Sequence, residues 1–289
     1  MTLKQRSIKT VWEAIPTMEG AGVALKRVFG NREADILDPF LLLDDFGSED
    51  PEDYIKGFPW HPHRGIETIT YMINGEVKHG DSLGNKGIIK SGEVQYMTAA
   101  SGIIHEEMPK QNDKEKLWGF QLWANLPKTE KMSDPKYRDL RSNMIPVVEG
   151  ENNVKVKIIC GDFNGVQGPV SEVSINPYYL DVSIPAETEF TFKVPADHTM
   201  FNYVYEGSAL FGKEQRDVGI ENLVVYNPGD FMSVRTEAEN VNILLVAGKP
   251  LNEPIAWYGP MVMNTQEEIW QAINDYNSGN FIKNKPKFS

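Results

Sequence analysis

The sequence predicts an all-β protein of two related barrel or sandwich domains, closed by one helix near the C-terminus. The first observation behind this is a series of short apolar runs at 66–73, 154–159, 178–184, 190–194, 201–205, 223–226 and 241–246. Several alternate with polar residues, and β-branched and aromatic types are frequent in them, which is the pattern of strands. The second is the punctuation between runs: Asn74-Gly75, Glu206-Gly207 and Pro228-Gly229-Asp230 are turn signals at short intervals, unlike an alternation of strands with helices. The third is a repeat. Tyr71-Met-Ile-Asn-Gly75 is matched by Tyr203-Val-Tyr-Glu-Gly207, and Lys90-Ser-Gly-Glu93 by Asn227-Pro-Gly-Asp230, in the same order in both halves.

Taken along the chain, the opening Met-Thr-Leu-Lys-Gln-Arg-Ser has no apolar stretch behind its basic residues, so no secretory leader is expected. Gly20-Ala-Gly22 begins like a dinucleotide loop, but Leu25 stands where the third glycine belongs, and it reads as a turn. Glu49-Asp-Pro-Glu-Asp53 reads as a solvated acidic loop. Residues 1–132 form the predicted first domain, the charged stretch 133–145 a linker and 146–289 the second domain. Thr265 with Glu268 three residues on has capping-box spacing. Ile269, Ile273 and Tyr276 then recur at helical spacing until Ser278-Gly279. That helix is expected to pack across a sheet.

With 29 basic against 41 acidic residues the formal charge is −12, which argues against direct nucleic-acid contact or an anionic membrane surface. No run approaches the ~18 apolar residues of a membrane span. The lone Cys160 excludes an intrachain disulfide and an all-cysteine metal site, and reads as small buried filler. A cytoplasmic monomer is the expectation.

Five histidines occur, His61, His63, His79, His105 and His198. His61 and His63 stand at i and i+2 of an extended segment and so share one face. His105 and Glu107 repeat that spacing, with Glu106 pointing away. If the two segments are neighbours in one barrel, three imidazoles and a carboxylate converge. This mixed set suits a first-row transition metal better than magnesium or calcium, and leaves a six-coordinate ion two open positions. Aligning the repeat places Lys193 and Pro195 opposite His61 and His63, and Asn242 and Leu244 opposite His105 and Glu107. The second domain is therefore expected to lack the site. His79 and His198 read as ordinary loop or surface histidines.

These residues resemble the signatures of a known family. His61-Pro-His-Arg-Gly-Ile-Glu-Thr68, Met97-Thr-Ala-Ala-Ser-Gly-Ile-Ile-His-Glu-Glu-Met-Pro109 and Trp118-Gly-Phe-Gln-Leu-Trp-Ala-Asn-Leu-Pro127 are similar to those of pirins. Asp38-Pro-Phe-Leu-Leu-Leu-Asp-Asp-Phe-Gly47 and the stretch 257–264 fit the same family. The resemblance implies two jelly-roll barrels of the cupin superfamily, the N-terminal one holding iron on His61, His63, His105 and Glu107. Glu67 is the rival carboxylate, because the general cupin first motif places a ligand there. By strict alternation it also faces inward unless Arg64-Gly65 breaks the strand, and as a non-ligand it would orient a histidine. Fe(II) is the implied metal, with other divalent ions open.

Two function classes follow from the resemblance. One is an iron-dependent dioxygenase of the quercetin 2,3-dioxygenase type, acting with dioxygen on a flavonol or related enol. Glu107 or Glu67 would then accept the hydroxyl proton, and Phe58, Trp60 and Met97 would wall the pocket. The alternative is a non-catalytic, metal- or redox-dependent regulator that binds a transcription factor or metabolic enzyme. A third reading has the barrel act on an unknown small metabolite. A wide apolar cavity opening onto the metal positions favours catalysis, and a blocked site favours regulation.

Overall fold

The computed structural model describes residues 3–111, 116–171 and 173–283. They fall into two compact units. One contains Ile15–Ile36, Phe40–Ser142 and the chain from Asn252 onward; the other contains the chain up to Ala14, Leu37–Pro39 and Asn143–Leu251.

Both units are built on the same plan. The first has a seven-stranded antiparallel sheet in the order Lys136–Leu140, Val94–Thr98, Ile66–Asn74, Leu117–Asn125, Phe40–Ser48, Val23–Phe29 and Ile15–Glu19. It also has a four-stranded sheet, Phe58–His63, Ile103–Pro109, Glu76–Asp81 and Lys86–Lys90. The second unit has seven strands in the order Ile8–Glu13, Asn222–Tyr226, Thr199–Glu206, Val241–Gly248, Tyr178–Ile184, Lys155–Cys160 and Val147–Glu149. Its four-stranded sheet is Glu189–Lys193, Phe231–Arg235, Ser208–Phe211 and Arg216–Gly219. The repeat at Gly75 and Gly207 thus extends, strand for strand, over the seven- and four-stranded sheets of each unit.

The boundaries differ from those read in the sequence. The expected linker 133–145 contains strand Lys136–Leu140, which pairs with Val94–Thr98 at the edge of the first unit's sheet. Its outward Lys136 and Arg138 are exposed, whereas Tyr137, Asp139 and Leu140 are partly or fully buried. Outward charge is what protects an edge strand from further pairing, and it also hides the strand's alternation. Ile8–Glu13, at the start of the chain, pairs with Asn222–Tyr226 of the second unit.

The C-terminal helix Gln266–Asn277 belongs to the first unit. Its capping box is present: Thr265 Oγ1 accepts from Glu268 N at 3.2 Å and Glu268 Oε2 accepts from Thr265 N at 3.0 Å. The buried residues are Ile269, Ala272 and Asp275, while Tyr276 turns outward. Cys160 is buried. No helix among the described residues is long and apolar enough to cross a membrane.

Candidate metal centre

Strands Phe58–His63 and Ile103–Pro109 lie side by side and antiparallel, with His105 opposite His61 and Ile103 opposite His63. Residues two apart on a strand share a face, so all three imidazoles meet. The Nε2 atoms of His61 and His63 are 3.0 Å apart, those of His61 and His105 2.9 Å. The ligand atoms of the three all lie within 4.8 Å of one another. His61 Nδ1 donates to the Pro59 carbonyl at 2.9 Å, which leaves the Nε2 lone pair facing its neighbours.

Electrostatics point the same way. Burial, and then the adjacent His61, hold His63 well below the ordinary histidine range. Burial followed by the other imidazoles does the same for His105. Both rings are therefore neutral at pH 7 and keep a lone pair. A cation bonded to imidazole nitrogen at about 2.1 Å places two nitrogens about 3.0 Å apart at right angles and about 3.4 Å apart at the tetrahedral angle. The His61–His63 and His61–His105 separations match the right-angled value. Three imidazole nitrogens crowded in this way are suited to hold a metal ion.

Beyond the histidines the ladder carries an irregularity between His105 and Glu107, which brings Glu107 opposite Phe58. That extra residue turns Phe58 to the histidines' side. Glu107, nearly buried, places Oε2 4.0 Å from His105 Nε2 while Oε1 accepts from Thr70 Oγ1 at 3.0 Å. Thr70 Oγ1 is also 2.6 Å from Gln121 Oε1.

A cavity of 610 Å³ opens beside these groups. Alternate residues of three neighbouring strands wall it, chiefly Val23, Leu25, Leu42, Phe46, Leu117 and Trp123, together with Phe58. Across the same face runs a polar row in strict register, Thr70, Gln121, Asp44 and Arg27. Arg27 clamps Asp44 through two hydrogen bonds of 2.9 Å and reaches Glu19 at 2.8 Å. The polar row has no counterpart among the residues that the sequence singled out. Alternation at 42, 44 and 46 and at 121 and 123 was its available signal.

Other expected site residues lie elsewhere. Trp60 is 51% exposed and covers Gly80 from outside, because it alternates with His61. Met97 packs with Leu41, Ile66, Ile103 and Val262 and does not reach the cavity lining. Glu67 is turned to the opposite face from Thr70, three residues along the strand. Its oxygens accept from Tyr96 Oη at 2.6 Å and Thr98 Oγ1 at 2.8 Å, and burial raises its pKa. Gly65, at φ +80°, breaks the alternation between the two strands; a Cβ there would sit 2.0 Å from the Val262 carbonyl oxygen. His79 is no surface residue. It is fully buried in strand Glu76–Asp81, stacked on Tyr137 at 4.7 Å and 5.3 Å from the His105 ring. His198 occupies a loop of the second unit and is also buried.

The second unit supplies an internal comparison. Counting from Gly75 and Gly207, and using His79 opposite Glu107 and Phe211 opposite Val234, the ladders put Phe192, Val194, Met232 and Val234 at the positions of His61, His63, His105 and Glu107. These replace the expected Lys193, Pro195, Asn242 and Leu244. The latter pair lies on Val241–Gly248, the counterpart of Leu117–Asn125. All four true counterparts belong to the second unit's apolar core; three have no donor atom and Met232 only a thioether.

Known proteins match this arrangement over nearly the whole chain. A Pseudomonas aeruginosa protein provisionally named a quercetin 2,3-dioxygenase is 43% identical over 281 residues, covering 96% of this chain and 98% of that one. A pirin-like protein of Caulobacter vibrioides is 42% identical over 278 residues, covering 96% and 99%. The crystal structure of quercetin 2,3-dioxygenase from Acinetobacter baumannii superposes with a TM-score of 0.88 at 33% identity, over 96% of this chain and 98% of that one. The family model for pirin matches residues 22–124, that for the pirin C-terminal cupin domain matches 179–282, and the chain belongs to the pirin family.

Proposed function

We propose that this pirin is a metal-dependent dioxygenase of the quercetin 2,3-dioxygenase type, acting on a flavonol or a related enol. The observation that carries the reading is the convergence of three Nε2 atoms at the edge of a largely apolar cavity of 610 Å³. A blocked site would have favoured a purely regulatory role. His61, His63, His105 and Glu107 would hold the metal, with Fe(II) the proposed ion, and a bound metal supplies Lewis acidity and a partner for dioxygen.

The chain's own residues supply the rest. Val23, Leu25, Phe46 and Phe58 offer apolar surface to a flat ring system and exclude water from it. Glu107 has one oxygen engaged by Thr70, so Oε2 is the atom placed to take the proton of an enolic hydroxyl. The His105 ring beside it, held neutral by burial, offers no competing cationic acid. The Acinetobacter baumannii enzyme, similar over nearly its full length, supports the same assignment.

The test is oxygen uptake with quercetin by protein reconstituted anaerobically with Fe(II), run beside His63→Ala with parallel metal analysis. Uptake that requires both iron and His63 is expected. Full iron occupancy in wild type without uptake would remove quercetin as substrate, and normal iron content in His63→Ala would remove the ligand assignment.

A further inference from the structure

We propose that the side-chain amide of Gln121 is a specificity-determining group that accepts a hydrogen bond from a ligand hydroxyl remote from the metal. The proposal rests on reading the cavity as a substrate site, and it narrows the ligand class to enols that carry a further hydroxyl on an outer ring.

Gln121 lines the cavity within the polar row, with Thr70 on one side and Asp44 on the other. Its chain neighbours Phe120 and Leu122 point to the opposite face of the sheet and are buried there. The Gln121 side chain therefore projects on the cavity side. One end of its amide meets Thr70 Oγ1 at 2.6 Å. Among the described residues no group bonds the other end. That end keeps surface open to solvent, unlike the sealed, unpartnered amide atoms of Gln95 and Asn202. Further along the row Arg27 is committed to Asp44 through two bonds of 2.9 Å and to Glu19 at 2.8 Å.

The network decides which atom is open. A carboxylate only accepts, so the single Thr70 hydroxyl hydrogen goes to Glu107 Oε1 at 3.0 Å. Thr70 Oγ1 then accepts from Gln121. This turns the NH2 group to Thr70 and the carbonyl oxygen to the cavity, an orientation assigned from the network. The partner of that oxygen must be a donor, and a ligand hydroxyl supplies one. Neighbouring strands stand about 4.8 Å apart, so this hydroxyl lies about one strand spacing past Thr70. It is distinct from the enolic hydroxyl whose proton Glu107 Oε2 takes. A ligand without it gains the apolar walls alone and leaves the Gln121 oxygen unmet, which is a basis for discrimination.

The experiment measures anaerobic binding to the full chain loaded with Zn(II). Probes are quercetin and 3-hydroxyflavone, which share the chelating hydroxyl and carbonyl and differ in the hydroxyls of the outer rings. Wild type should bind quercetin about tenfold more tightly than 3-hydroxyflavone. Gln121→Met keeps the length of the side chain and removes the amide. It should weaken quercetin about tenfold and 3-hydroxyflavone less than about twofold, with zinc content equal to that of wild type. Equal weakening of both flavonols, or no change in either, overturns the acceptor role and leaves the dioxygenase reading standing. Loss of zinc from the variant would mean that Gln121 serves the metal through Thr70, and overturns it likewise. A wild type without preference does so with no variant needed, whether or not Gln121→Met folds. If neither flavonol binds zinc-loaded wild type, both readings fall.

Discussion

Thr70 has one hydroxyl hydrogen and two acceptor oxygens within reach, Glu107 Oε1 and the Gln121 side-chain oxygen. With the Gln121 amide turned to present its NH2 group, an orientation that is assigned from the network, donors run in one direction from Gln121 to Thr70 to Glu107. The carboxylate is then held by a neutral hydroxyl rather than a cation. Removing the hydroxyl in Thr70→Val should leave Glu107 free to rotate and lower metal affinity or quercetin-dependent uptake about 10–100-fold. Metal titration together with oxygen uptake checks this, and unchanged values in both would separate Glu107 from Thr70. The histidines themselves were legible because two i,i+2 pairs in a His-poor chain are a pattern internal to each strand. Thr70, Gln121 and Trp123 were not legible, since their meeting depends on the register between strands, which no local pattern encodes. Glu67 shows the same limit from the other side. Its alternation with His61 and His63 is real only while the strand continues, and Gly65 ends it.

Among the elements, the terminal helix was readable from its cap and its stop, but the face it buries was not. Asp275 sits on that face with a side chain only 8% exposed, and accepts from Arg64 Nη1 at 2.8 Å. Lys283 lies at 2.8 Å from the same oxygen, and Gln271 donates to the other at 2.9 Å. Arg64, which follows His63 directly, also donates to the Phe281 carbonyl and lies over the Phe281 ring at 4.4 Å. These contacts bind the end of the histidine strand to the helix. Burial raises the Asp275 pKa, but the bonds from Lys283, Arg64 and Gln271 together bring it down to about 2. A carboxyl lowered from about 3.9 in the unfolded chain stabilises the fold above that value, and the contribution is lost as pH falls through about 2. Asp275→Asn should therefore cost about 3 kcal/mol at pH 7, where it leaves a buried guanidinium without its carboxylate. The difference from wild type should narrow as pH falls from 4 to 2. Urea unfolding of both proteins at pH 7 and pH 3 measures this; a pH-independent difference would mean the pair does not titrate as described. Strand Lys136–Leu140 escaped the sequence for a physical reason as well, because an edge strand covered in charge resembles a linker until its partner is known.

At the scale of the whole molecule, one strand plan has been filled in two ways. In the second unit the inner face is apolar where the first carries ligands, with Phe192, Val194, Met232 and Val234 in its core. The polar row is replaced as well, by Asn202, Leu245, Leu180 and Ile158 in place of Thr70, Gln121, Asp44 and Arg27. The second unit has thus gained a continuous packed interior, while the first keeps a cavity and several buried polar groups. An interior of that kind forgoes apolar burial worth about 25 cal/mol per Å². It becomes more stable when a ligand binds the folded state alone, by about 2.7 kcal/mol at a hundred times the dissociation constant. Metal addition should therefore slow amide hydrogen exchange in Phe58–His63 and Ile103–Pro109 and leave Glu189–Lys193 and Phe231–Arg235 unchanged, since exchange reports local opening. Chelation should reverse the effect. Equal protection of the four strands would mean that the metal acts on both interiors, and no protection in any would remove His61, His63 and His105 as a metal site.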